Sequence, residues 1–195
     1  MRPKIVITYN EFLDPIFKGW ILSQKKFKDW VAPSLDDVKK NVKEYEKEWE
    51  KYGDRILDGL TTITNLSFKR NQIDIHVVSG NPRPFSRPIV LKSRYSPIDF
   101  INIVTHELIH CLFVDNEKEL DGKEFYKIEN KIVSSHVLIY AILKSVYFDI
   151  LNEPERFERN MQSLSEYDSD SNAAYKEAWN IVNKIGYKEI IKGFR

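Results

Sequence analysis

The chain has little of what would place it quickly in a special class. Among its 195 residues there is a single cysteine, Cys111, which excludes an internal disulfide and is compatible with a reducing compartment. Cys111 directly follows His110 and reads as a small buried hydrophobe rather than a nucleophile, because free cysteine is commonly buried and inert. An excess of one charge is also missing: 30 Lys and Arg stand against 29 Asp and Glu, a net charge of +1. The molecule as a whole therefore lacks the electrostatic footprint of a nucleic-acid or anionic-lipid binder, and neither nucleic acid nor membrane is expected as a partner. The start, "MRPKIVITYNEF", has no apolar run of signal-peptide length, and no later run approaches the ~20 apolar residues of a membrane span. A cytoplasmic location is the expectation. Internal repeats are absent, and the only low-complexity stretch is "YDSDSN" at 167–172, which reads as a linker.

What is present suits a folded protein. Apolar residues make up 42% and aromatics 13%, enough to build a core at this length. The expectation is a single domain over 1–195, with 152–195 as a C-terminal helical extension. That extension is open to three roles: specificity element, oligomer interface or plain cap. Oligomeric state is not set by the sequence.

"KIVITYN" (4–10) is short, β-branched and aromatic, and reads as a strand, after which Pro15 and Gly19 break the pattern. From Ser34 to Leu66 an N-cap serine, early acids and apolar residues at Leu35, Val38, Val42, Tyr45, Trp49, Tyr52, Ile56, Leu60 and Ile63 predict one long helix. Three aromatics on that seam and Gly53 within it favour packing on a sheet over a coiled coil. "QIDIHVV" (72–78) and "PIVLKS" (88–93) read as strands, joined by a Pro-rich loop that should stay irregular. Arg83, Arg87 and Arg94 surround that loop and read as solvated. His76 alternates with Ile75 and Val77 and should face solvent.

Ser96, Pro97 and Asp99 then supply an N-cap, a proline at the first helical position and an acid at the third. The helix they open carries "VTHELIHCLF" (104–113) and should stop near "VDNEKELDG". Further helices are predicted over 123–151, with an interruption at Ser134–Ser135, after Pro154, and over 172–185. The fold class is α+β: a small, mostly antiparallel sheet with a long N-terminal helix, the motif helix and a helical C-terminal half.

On a helix, positions i and i+4 lie about 40° apart around the axis, so His106 and His110 project from one face and can reach one ion. Neutral imidazoles are good zinc ligands, and Glu107 falls near the same face, where it can reach a water on the metal without entering the coordination shell. Two of the four histidines in the chain are spent on this H-E-x-x-H arrangement.

Through the HELIH helix, and more loosely through the β-β-α order of 72–114, the sequence resembles the zincin metallopeptidases. That resemblance implies a zinc-dependent hydrolase of peptide or other amide bonds, acting on a peptide or protein. Zn2+ would activate a water, and Glu107 would serve as general base. It also implies a strand before the motif helix, here 88–93, that borders the cleft and pairs with an extended peptide. The metzincin extension would need Gly at 113 and His at 116, whereas this chain has Phe113 and Asn116. The gluzincin pattern takes a Glu eighteen intervening residues beyond the second His, which falls on Glu129, although its usual Asn-Glu-Gly setting is replaced by "KIENKIV".

His136 competes for the third position. Glu129 and His136 both fall on the apolar face defined by Phe125, Ile132, Val133, Val137, Tyr140 and Tyr147. Seven helical residues span about 10.5 Å, so direct ligation of one ion by both is demanding. One is a ligand and the other supports the shell or an oxyanion. The spacing leans to Glu129, and a break at Ser134–Ser135 would favour His136. Tyr140 and Tyr147 read as core. Two other readings compete: a zincin-like domain that binds a peptide or partner without cleaving it, and a structural helical protein with a coincidental motif. Glu107 argues against the first, since a binding module needs no general base.

Overall fold

The computed structural model describes residues 2–120, 130–166 and 170–194 and has an α+β architecture. By its internal contacts the chain divides into two compact units, residues 1–53 with 68–111, and residues 54–67 with 112–195.

The first unit holds the sheet. Strands β1 (Lys4–Tyr9), β2 (Gln72–Val78), β3 (Phe85–Ser86) and β4 (Ile89–Lys92) lie in the order β1-β2-β4-β3. β1 pairs parallel with β2, from Lys4 opposite Gln72 to Tyr9 opposite Val77, and β2 pairs parallel with β4. Only the short β3–β4 pairing is antiparallel. The expectation of a mostly antiparallel sheet is therefore corrected. Two helices separate β1 from β2, and a helical crossover returns the chain to the end at which it started, which makes neighbours parallel. β4 has Ile89, Val90 and Leu91 buried in succession, so both of its faces are covered, as parallel strands require.

Helix α1 (Leu13–Ser23) runs through Pro15 and Gly19, where the sequence suggested a break. Pro15 lies in the first turn, where its missing N–H would have had no intrahelical partner. The side chain of Asn10 takes the orphan amides of Phe12 and Leu13 at 3.1 and 2.9 Å. In the same first turn, buried Asp14 accepts from the backbone N–H of Ser79 at 2.6 Å, the Ser79 hydroxyl at 3.0 Å and the Tyr9 hydroxyl at 3.0 Å. Together these bonds fix α1 to the ends of β1 and β2.

Helix α2 (Leu35–Thr64) follows the predicted span, with Ser34 accepting from the Asp37 amide at 3.1 Å. Its apolar seam is consumed inside the fold. Val38, Val42 and Tyr45 are buried in the first unit, where the Tyr45 ring stacks on Phe100 at 3.8 Å and its hydroxyl lies 2.7 and 2.8 Å from the Ser93 and Tyr95 carbonyls.

Helix α3 (Pro97–Asp115) opens as its sequence dictates. The Ser96 hydroxyl accepts from the Asp99 amide at 3.1 Å and bonds the Asp99 carboxylate at 2.7 Å, a reciprocal cap that fixes the phase of every residue after it.

In the second unit Asn116 ends α3, its amide nitrogen donating to the Leu112 and Ser67 carbonyls at 2.7 and 2.9 Å. A single turn, α4 (Glu117–Leu120), follows. Helix α5 (Lys131–Ser145) is capped by Asn130, whose side chain accepts from the Ile132 and Val133 amides at 3.0 and 3.3 Å. The predicted interruption at Ser134–Ser135 does not occur, because the Ser135 hydroxyl bonds back to the Ile132 carbonyl at 3.1 Å within the helix. The irregularity comes later, as a π turn over Val146–Leu151 that ends at left-handed Asn152, φ 59°. Helices α6 (Pro154–Glu166), α7 (Asp170–Ile185) and α8 (Tyr187–Phe194) complete the unit, and α7 and α8 pack on α5. The predicted linker at 167–172 is helical from Asp170 onward, and 167–169 lie outside the described residues.

Contrary to the reading of apolar runs, α3 and the continuous segment Lys131–Leu151 are long and apolar enough to cross a membrane. Over half of each is buried inside the fold, the pattern of a core helix.

Candidate metal centre

The first two ring nitrogens come from one helix face. His106 and His110 sit one turn apart on α3, both half-buried, with ring centroids 5.0 Å apart and Nε2 atoms 3.2 Å apart. Two nitrogens held at zinc–nitrogen distances of about 2.0–2.1 Å and a tetrahedral angle are about 3.3 Å apart. The separation matches both a hydrogen bond between the two rings and that of two nitrogens on one zinc ion.

Glu107, between them in sequence, is buried at 6% exposure. Its Oε2 accepts from the Ser86 hydroxyl at 2.5 Å. Burial pushes the carboxyl up to about 7, while the Ser86 hydrogen bond pulls the other way by favouring the charged form. A carboxyl poised near neutrality can both take a proton and return it. Cys111, fully buried, points its sulfur at the Ser86 carbonyl at 3.4 Å, in keeping with its reading as a core residue.

Ser86 is the residue that sequence reasoning missed. It lies in the Pro-rich loop expected to stay irregular, which instead forms β3 at Phe85–Ser86 against Val90 and Ile89. That pairing places Ser86 beside α3. It also takes up part of the strand expected to pair with a peptide: β4 has β2 on one side and, at Ile89 and Val90, β3 on the other.

In the second unit, His136 lies on α5, buried at 7% exposure. Its Nδ1 is 2.8 Å from the Ile132 carbonyl and 3.2 Å from the Ser135 hydroxyl. A carbonyl can only accept, so Nδ1 carries the proton and Nε2 the lone pair, the tautomer of a histidine ligand oriented by its other nitrogen. Burial lowers the pKa below the usual histidine value, against a smaller opposing effect of the Ile132 bond, so the ring is neutral at pH 7. Tyr175 packs edge-on to the ring at 4.6 Å, and Tyr140 lies at 5.8 Å. Glu129, the competing ligand, lies outside the described residues.

The remaining candidates have neighbours of their own. His76 is half-buried rather than solvent-facing, and its Nδ1 accepts from the Asn10 amide at 3.2 Å. The Arg83 guanidinium lies over Phe85 at 5.4 Å, and Arg94 donates to the Val31 carbonyl at 2.5 Å, so each has a local packing role. Tyr140 is core, as read, and burial raises its pKa. Tyr147 is buried against Phe157. Compared with known proteins, the chain matches no family model, no curated protein and no solved structure.

Proposed function

We propose that the chain is a zinc-dependent hydrolase of peptide or other amide bonds, zincin-like in its H-E-x-x-H helix, with Glu107 as general base. The observation that carries this reading is the 3.2 Å approach of the His106 and His110 Nε2 atoms beside a buried carboxyl at about 7. His136 is the proposed third ligand, in preference to the Glu129 favoured by family spacing. The support is that the Ile132 carbonyl holds the proton on His136 Nδ1 and leaves the lone pair on Nε2, the tautomer of a histidine ligand.

When bound, zinc supplies a Lewis acid and lowers the pKa of a coordinated water from 15.7 toward about 7. The protein's own part follows from its geometry. Glu107 accepts the proton of the attacking water and delivers it to the leaving amine, and Ser86 holds the carboxylate oxygen in place for both transfers. Burial around Glu107 keeps bulk water from competing for that proton.

The test is Glu107→Gln on zinc-loaded protein, assayed against unfolded protein and mixed peptide substrates. Zinc retained at the wild-type level with hydrolysis reduced by about a hundredfold or more fits a general base. Unchanged hydrolysis overturns the assignment. Wild-type protein that holds zinc but cleaves none of these substrates would favour a domain that binds without cleaving.

A further inference from the structure

Helix α1 turns an uncharged face to solvent. Its exposed residues are Pro15, Ile16, Gly19, Leu22 and Ser23, which at i, i+1, i+4, i+7 and i+8 form one side of the helix. Phe12, one turn before Ile16, extends that side. The two charges of the helix, Asp14 and Lys18, pair with each other at 2.7 Å, and Asp14 is buried. A surface helix ordinarily carries its charged residues outward, so this arrangement is reversed. Among the described residues, the four most exposed large apolar side chains are Phe12 at 80%, Val31 at 72%, Ile16 at 65% and Leu22 at 57%. All four fall within residues 12–31, and a cluster of this kind marks an interaction surface, where a single exposed apolar residue would need no explanation.

The charges beside this face identify what it meets. Past Ser23 the chain coils on through a 3-10 turn at Lys25–Phe27, with backbone bonds from Phe27 N–H to the Gln24 carbonyl and from Lys28 N–H to the Lys25 carbonyl. Lys25, Lys26 and Lys28 are exposed, and among the described residues none of them forms an ion pair. Arg94, also exposed, joins this stretch by donating to the Val31 carbonyl at 2.5 Å and lying over the Trp30 ring at 5.9 Å. Against these four cations stand Asp29 in the same stretch and Glu11 at the far end of the helix. The overall balance of 30 basic and 29 acidic residues averages over this local excess. Trp20 and Trp30, on either side of the lysines in the chain, are half-buried, the placement of a ring with one apolar end and one wet end.

We propose that α1 and the lysine-bearing turn after it dock on an anionic phospholipid bilayer, with the helix lying in the plane of the interface. Phe12, Ile16 and Leu22 enter the boundary between headgroups and acyl chains, and Lys25, Lys26 and Lys28 meet the headgroup phosphates. The two parts act together: a few apolar side chains on one short helix bind reversibly, and the lysines make that binding select anionic lipid. An apolar protein surface would leave the lysines unmatched, whereas anionic headgroups complement them.

Co-sedimentation of the full chain with vesicles of phosphatidylcholine alone, and of phosphatidylcholine mixed with phosphatidylserine, tests this. The expected result is binding to the mixed vesicles that weakens as salt is raised, and little binding to phosphatidylcholine alone. Phe12→Ser with Ile16→Ser should weaken binding by at least about tenfold. Lys25→Glu, Lys26→Glu and Lys28→Glu together should weaken it by about a hundredfold or more. All five side chains are exposed, so both variants should keep the wild-type circular dichroism spectrum. No binding to the mixed vesicles, equal binding to both compositions, or binding that either variant leaves unchanged overturns the proposal. So does a chain that ignores vesicles and self-associates in analytical ultracentrifugation until Phe12 and Ile16 are replaced, which would give this face to a second copy.

Discussion

The Ser86 hydroxyl lies 2.5 Å from Oε2 of Glu107, joining a two-residue strand to the middle of the motif helix. This bond opposes burial, the larger effect on the Glu107 carboxyl. Ser86→Ala should therefore raise the pKa of Glu107 further. The acidic limb of the pH–rate profile should move to higher pH, with activity at pH 7 down several-fold and zinc content unchanged. A purely structural role for Ser86 would lower activity without moving the limb.

Glu107 also has a stability signature in metal-free protein. Its folded pKa, about 7, lies above the usual carboxylate value, so the folded state holds a proton that the unfolded chain releases. Stability should fall as pH rises from about 4.5 to about 7, and level off above. Metal-free Glu107→Gln cannot ionise and should be more stable than wild type above pH 7, with the difference fading toward pH 4.5. Urea melts of both proteins across this range measure the effect.

Asp14 should behave in the opposite sense. Burial pushes its carboxyl up, but the bonds from Lys18, Ser79 and Tyr9 outweigh that and hold it below the usual carboxylate range. The stability it confers is full above that usual range and is lost as pH falls through the lowered value. Asp14→Ala strands the Ser79 amide and should cost about 1–3 kcal/mol at neutral pH, read from urea melts.

Cys111 is fully buried and should resist thiol reagents in native protein at neutral pH. Rapid labelling with Ellman's reagent under native conditions would contradict its placement in the core.

The elements that the sequence specifies locally were legible in it. Ser96, Pro97 and Asp99 carry the start of the motif helix in three residues, and the alternation of "QIDIHVV" marks β2 over Gln72–Val78. Sheet direction was not legible, because it depends on which end the α1–α2 crossover returns to and not on the composition of any strand. Pro15 looked like a break since its place in a helix's first turn depends on the Asn10 cap. Ser86 carried no signal: a serine between Phe and Arg in a Pro-rich loop acquires meaning only once β3 pairs with β4. Periodicity put His136 and Glu129 on one face and cannot choose between ligands a turn or two apart; His136 is buried on α5, and Glu129 lies outside the described residues.

The most direct test of the central claim is zinc stoichiometry by elemental analysis, after zinc loading and removal of free metal, on wild type and on His106→Ala, His110→Ala and His136→Ala. The account predicts about one zinc per chain in the wild type and loss of it in each variant, since three protein ligands leave one position open for water. A wild type without bound zinc, or a His136→Ala variant that holds zinc as tightly as the wild type, would contradict it.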